Sequence, residues 1–128
     1  MSPPLRITNC SRGTVLGTRV ALADSWMSRL RGYLGRPQPR PGDGLLLSPC
    51  NSIHMWGVRF PLDVVFLTGA GEVVAVREGL EPNSRPVRVS GSRYVLEVPP
   101  GTIRSTGTAV GDAFAWSRVE GRRPLEAL

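Results

Sequence analysis

Leu62-Asp63-Val64-Val65-Phe66-Leu67-Thr68-Gly69-Ala70-Gly71-Glu72-Val73-Val74-Ala75-Val76 is the stretch on which the fold turns. Two runs of branched apolar residues flank Thr68-Gly69-Ala70-Gly71, a short glycine-containing loop. That pattern predicts a β-hairpin with strands over 62–67 and 72–76. Phe60 precedes a proline and is therefore extended, so Phe60-Pro61 leads directly into the first strand. Side chains alternate along a strand, which places Asp63 on the face of Val65 and Leu67, while Leu62, Val64 and Phe66 take the other.

Outward from this hairpin the chain reads as more short strands. Segments 5–9 and 15–22 are two strands around the turn residues Ser11-Arg12-Gly13. Asp24 or Ser25 caps a helix whose apolar positions Trp26, Met27, Leu30, Tyr33 and Leu34 recur at near-helical spacing, until Gly35 and Pro37 stop it. The arginines at 29, 31 and 36 suit the carboxyl end of that helix. Residues 37–43 carry three prolines and form an exposed connector before the apolar Gly44-Leu45-Leu46-Leu47. The chain loosens over 81–86, forms a strand over 94–98 that Pro99-Pro100-Gly101 ends, and places a last strand over 112–119. Residues 120–128 read as a frayed tail. A length of 128 residues with 15 glycines and 12 prolines fits a single domain spanning 1–128 with many turns. The expected fold is mainly β: an antiparallel sandwich or squashed barrel, jelly-roll-like, with one short helix near residues 24–35. No strand-to-helix junction carries a phosphate-cradling glycine pattern, which excludes the usual nucleotide loops.

The net charge of +6 comes with basic residues that are all arginine, and no basic run exceeds Arg122-Arg123. Scattered charge of this kind describes a solvated surface and argues against nucleic acid as a partner. No apolar run has the length of a signal peptide core or a membrane span, so the expectation is a cytoplasmic protein without membrane association. Cys10 and Cys50 read as separate thiols in that compartment rather than a bridge.

Chemistry-bearing residues concentrate between Cys50 and Asp63. His54 is the only histidine, so any imidazole chemistry must use it. Arg59 is near enough in sequence to pair with Asp63 or to grip an anion. Trp56 and Phe60 could floor a pocket, and Glu97, opposite Leu96 and Val98 on its strand, could form a carboxylate pair with Asp63. Cys50 and His54 have a spacing compatible with coordination, but a structural zinc site needs four ligands, and neither a metal nor a cofactor is expected. The leading expectation is a domain that binds a small molecule or a partner protein at a cleft lined by His54, Arg59 and Asp63, with Trp56, Glu97 and Cys50 as further members. The alternatives are an acid-base enzyme, a hydrolase or isomerase using His54 with Asp63 or Glu97, and a structural accessory that recognises another protein. Each polar residue also has a plain structural role open to it: an ion pair or turn cap for Asp63, a bond to a backbone carbonyl for His54.

Gly32-Tyr33-Leu34-Gly35-Arg36, Gly44-Leu45-Leu46-Leu47, the run from Cys50 to Phe66, Val95-Leu96-Glu97-Val98-Pro99-Pro100-Gly101 and Gly111-Asp112 together resemble the domain-of-unknown-function 192 family. The likeness is to its cysteine- and histidine-bearing branch. It implies a compact, mainly β, jelly-roll-like domain and brings no established activity with it.

Overall fold

A computed structural model describes residues 3–119. Within them the chain runs β1 (Leu5–Asn9), β2 (Thr14–Ala23), α1 (Trp26–Arg31), β3 (Asp43–Leu47), β4 (Ser52–Ile53), β5 (Leu62–Leu67), β6 (Val73–Leu80), β7 (Val87–Arg88), β8 (Tyr94–Val98), α2 (Thr102–Thr106) and β9 (Phe114–Arg118). The fold is mainly β. The expected 62–76 hairpin is present as β5 and β6, with Val65 opposite Val76 and Phe66 opposite Ala75. The tail over 120–128 lies outside the described residues.

Seven strands form one sheet in the order β6-β5-β8-β3-β2-β1-β9, and β4 pairs with β7 in a separate ribbon. Neighbours run antiparallel except β2 and β3, which are parallel with Val20 opposite Gly44 and Leu22 opposite Leu46. A parallel pair needs a crossover, and α1 with the proline-rich connector supplies it. Strand direction leaves no mark on periodicity, which is why the sequence suggests an all-antiparallel sheet. Two elements fall below the reach of pattern reading: α2, five residues between the left-handed Gly101 and Gly107, and the two-residue strands of the ribbon.

The sheet curls until its outer strands meet at one end. Glu72 bridges Ala113, the Phe114 amide donates to the Gly71 carbonyl at 2.8 Å, and the Val73 amide donates to the Asp112 carbonyl at 2.9 Å. The curled sheet is thus an open form of the expected squashed barrel. One apolar cluster fills the inside of the curl, with Ile7, Val20, Leu46, Val65, Leu67, Leu96 and Phe114 closed over by Ile103 of α2. A second cluster covers the opposite face, where Leu45, Leu47, Leu62, Val64 and Phe66 pack against Tyr33, Met55, Val58 and Phe60. Burial on both faces explains why β5 is buried at every position and apolar at all but Asp63.

The seam depends on Gly71. Its φ is +86°, and a Cβ placed there would lie 2.7 Å from the Phe114 carbonyl oxygen. Gly71→Ala is therefore expected to lose about 2–3 kcal/mol, combining left-handed strain with a backbone clash. Urea denaturation reads the effect, and an unchanged midpoint would contradict the closure described here.

Candidate functional site

The residues between Cys50 and Asp63 do not converge on one cleft. Asp63 is fully buried on the inside of the curl, whereas His54 and Arg59 belong to loops covering the opposite face. Its Oδ1 accepts from the Gly79 amide at 2.8 Å, and its Oδ2 accepts from the amides of Gly101 at 3.0 Å and Ile103 at 2.9 Å. A register shift between Leu62 and Val64 bulges β6 opposite Asp63, and left-handed Gly79 turns its amide inward. Both carboxylate oxygens are thereby engaged with backbone. The Arg59 pairing suggested by sequence proximity does not form, because the sheet lies between the two side chains.

Glu97 stands opposite Val64 of β5 and Leu45 of β3, which places it on the other face from Asp63 and rules out a carboxylate dyad between them. Its side chain is fully buried, and Oε1 has no hydrogen-bond partner. Burial pushes its carboxyl up to about 8, opposed only in part by the Arg36 guanidinium. Gly32 lies over it, with the position of a Gly32 Cβ 3.4 Å from Oε1. Burial, then the Glu97 charge, raises the neighbouring Tyr33 phenol well above its ordinary range, so that it stays a neutral hydroxyl.

His54 is half-buried, and its Nε2 lies 3.0 Å from the Leu30 carbonyl oxygen. A carbonyl only accepts, so Nε2 carries the hydrogen. The ring clasps the end of α1 and leans on Trp56 at a centroid distance of 5.8 Å. Its Nδ1 is buried without a partner. Cys50 directs Sγ to the Ser52 carbonyl at 3.0 Å, and burial raises its thiol above the usual value, which opposes a nucleophilic thiolate. Among the described residues no three His, Cys, Asp or Glu side chains gather as a metal site, and no helix is long and apolar enough to cross a membrane.

Arg59 does face a concavity. A cavity of about 380 Å³ is lined by Tyr33, Leu34, Gly35, Arg36, Gly57, Arg59 and Phe60. One wall is the turn after α1, where Gly32 and Gly35 take positive φ and the Arg36 Nε donates back to the Gly32 carbonyl at 2.8 Å. That bond leaves the terminal guanidinium nitrogens of Arg36 for other acceptors. The other wall is the loop 57–60, fixed by the Gly57 amide donating to Asn83 Oδ1 at 3.2 Å. Tyr33 and Phe60 meet edge to face at 5.9 Å and form an aromatic floor. Two guanidiniums and a neutral phenol stand around one hollow whose lining includes no carboxylate; the nearest acidic group in the wall is Glu97, behind Gly32 and Tyr33.

Of the sequence candidates, the cavity takes in Arg59 and Phe60. Trp56, exposed at its edge, and His54 border the helix end instead, and Tyr33 and Arg36 went unread as chemistry. Their signal is in the chain: Gly32-Tyr33-Leu34-Gly35-Arg36 sets a phenol directly after one glycine and a guanidinium directly after the other, and both glycines let the backbone turn.

The chain is similar to a UPF0127 protein of Thermococcus sibiricus, 31% identical over 95% of this chain and 84% of that one. A UPF0127 protein of Pyrococcus furiosus is 29% identical over 87% and 97%. Among solved structures, a Sinorhizobium meliloti protein named as a candidate transcription regulator superposes with a TM-score of 0.77 at 26% identity, over 91% of this chain and 96% of that one. A Novosphingobium aromaticivorans protein of unknown function, at 24% identity and a TM-score of 0.76 over 88% and 84%, shares the fold. The model of the DUF192 family, described as an uncharacterized ACR, matches residues 7–116, and the chain belongs to that family.

Proposed function

We propose that this protein binds a small anionic molecule, a carboxylate or phosphate carrying a compact apolar part, in the cavity between the turn after α1 and the loop 57–60. The observation that carries this reading is the pairing of Arg36 and Arg59 over the Tyr33 and Phe60 floor. Arg59 makes no ion pair among the described residues, and guanidinium forks match carboxylate and phosphate oxygens. The Tyr33 hydroxyl adds a neutral donor, and the aromatic rings take the apolar part of the ligand. Asp63, with its oxygens engaged, serves as a structural clasp in this reading, and His54 positions the helix end.

A thermal-shift series of small carboxylates and phosphate esters tests it, because a ligand selective for the folded state raises the melting temperature. Arg59→Ala is expected to weaken the best ligand by roughly tenfold to a hundredfold, the range for losing a charge-assisted hydrogen bond. Equal affinity of Arg59→Ala and the parent protein would refute the assignment.

A further inference from the structure

The helix α1 presents its apolar side chains away from the protein. Ser25 caps it through a reciprocal pair of bonds with Ser28, and no residue of the helix is buried. At about 100° per residue, Trp26, Leu30 and Met27 occupy one arc of roughly 100°, flanked by Arg29 and Arg31, with Ser28 on the inward side. Trp26 and Met27 are each 68% exposed, Trp56 is 63% and Leu30 55%. These groups are contiguous: His54 joins the Leu30 carbonyl to the Trp56 ring, and Leu34 lies over Gly57 beside Trp56. Most of the large exposed apolar side chains among the described residues are gathered on this surface.

The charge around it is mainly positive, with Asp24 before the Ser25 cap as the acidic residue that flanks the helix. Arg29 donates to the Asp24 carbonyl, Arg31 to the Leu34 carbonyl and Arg36 to the Gly32 carbonyl. None of these, nor Arg59, pairs with a carboxylate among the described residues. A second copy of the same patch would bring these cations together and be repelled.

We infer that the surface made by Trp26, Met27, Leu30 and Trp56, ringed by Arg29 and Arg31, docks on an anionic phospholipid bilayer. An open recess of about 240 Å³ lies beside Trp26, Arg29 and Leu30, and exposed tryptophans next to arginines that pair with no carboxylate match an anionic lipid interface. Tryptophan settles at the headgroup level, the aliphatic side chains enter the acyl boundary, and the arginines meet lipid phosphates and carboxylates. Such a helix lies on a membrane and does not cross it, so the lack of a spanning segment in the sequence does not bear on it. The inference goes beyond the cavity reading and needs none of its residues.

Sedimentation with sucrose-loaded vesicles of phosphatidylcholine and phosphatidylserine in two-to-one ratio tests it. The protein is expected to pellet with these vesicles, to stay in solution with phosphatidylcholine alone, and to shift its tryptophan emission to the blue on binding. Trp26→Ser with Leu30→Ser is expected to lower partitioning at least tenfold, and Arg31→Gln about fivefold. Trp26 and Leu30 are exposed and do not line the cavity, so in the double variant the urea midpoint and the binding of small anions there stay unchanged. Absence of binding to the anionic vesicles overturns the inference, as does binding that survives the double substitution. Concentration-dependent self-association in lipid-free buffer that Trp26→Ser abolishes also overturns it, because a second copy would then be the occupant.

Discussion

Asp63→Ala is expected to remove about 3–6 kcal/mol of folding stability, because three backbone amides lose an acceptor, at about 1–3 kcal/mol for the buried Ile103 amide and about 1–1.5 kcal/mol for each of the part-buried Gly79 and Gly101 amides. A small domain has about 5–15 kcal/mol in total, so the alanine variant is expected to be largely unfolded at mildly raised temperature. The effect is large because one carboxylate joins three segments remote in sequence. Gly79 lies in the bulge of β6, and Gly101 and Ile103 start α2. Without the acceptor, the bulge loses its inward amide bond and α2 loses its anchor over the core inside the curl. Asp63→Asn retains one acceptor oxygen and turns an amide group toward N–H donors, so it is expected to lose about 2–3 kcal/mol and remain folded. Urea denaturation of the asparagine variant decides the matter. A loss below about half a kcal/mol, the usual range for an inconsequential substitution, would show that the carboxylate does not hold these segments.

The second large effect is in the pH dependence of stability and resides in Glu97. In the unfolded chain its carboxyl titrates near 4.5, and in the fold burial raises it to about 8. Between these values the folded protein keeps a proton that the unfolded chain has released. The folded state therefore binds more protons, and stability falls as pH rises through this window, by about 1.4 kcal/mol per unit. The accumulated loss by pH 8 is about 3–5 kcal/mol, with the slope vanishing below 4.5 and above 8. Glu97→Gln has no proton to lose. It is expected to match the parent protein near pH 4.5 and to exceed it by several kcal/mol at pH 8. Asp112 and Asp43 do not mask this trend. Their carboxyls are held low, Asp112 first by the Asn9 side-chain bond and Asp43 first by the Arg40 amide, so their contributions are lost only as pH falls through their lowered values. Denaturation curves for parent and Glu97→Gln that run parallel from pH 4.5 to 8 would contradict the burial of an unpaired carboxyl.

These two carboxylates show where the sequence is legible and where it stops. The alternation along 62–67 assigns Asp63 to the face of Val65 and Leu67, and the structure places it there, because a strand period of two holds whatever the tertiary context. Its partners lie 16, 38 and 40 residues away and are backbone amides, which no residue type advertises. Arg59 looks like the natural partner by proximity, yet Phe60-Pro61 enters the strand with the sheet separating guanidinium from carboxylate. For Glu97 the strand is legible and the burial is not. A charged residue between Leu96 and Val98 reads as a solvent-facing position on a one-sided sheet, and only the covering layer of Tyr33, Met55 and Phe60 makes this sheet two-sided. The same limit applies to α1: periodicity finds the helix, but it cannot tell that the apolar arc faces outward, because His54 and the Ser25 cap fix its orientation. The cavity was half legible through Arg59 and Phe60. Its other wall comes from a turn 21 or more residues earlier in the chain, brought near by the parallel crossover between β2 and β3.

The assignment of an anion site to the turn after α1 and the loop 57–60 is tested most directly by titrating inorganic phosphate and a small aromatic carboxylate into isotope-labelled protein and following the arginine Nε–Hε resonances. The Arg36 and Arg59 signals should move in a saturable way, together with the ring resonances of Tyr33 and Phe60, while Arg12, Arg19 and Arg40, already engaged with Asp112 and Asp43, stay in place. Small, non-saturating shifts spread evenly over the arginines would mean that anions meet only the general positive charge of the surface, and that the cavity is not a binding site.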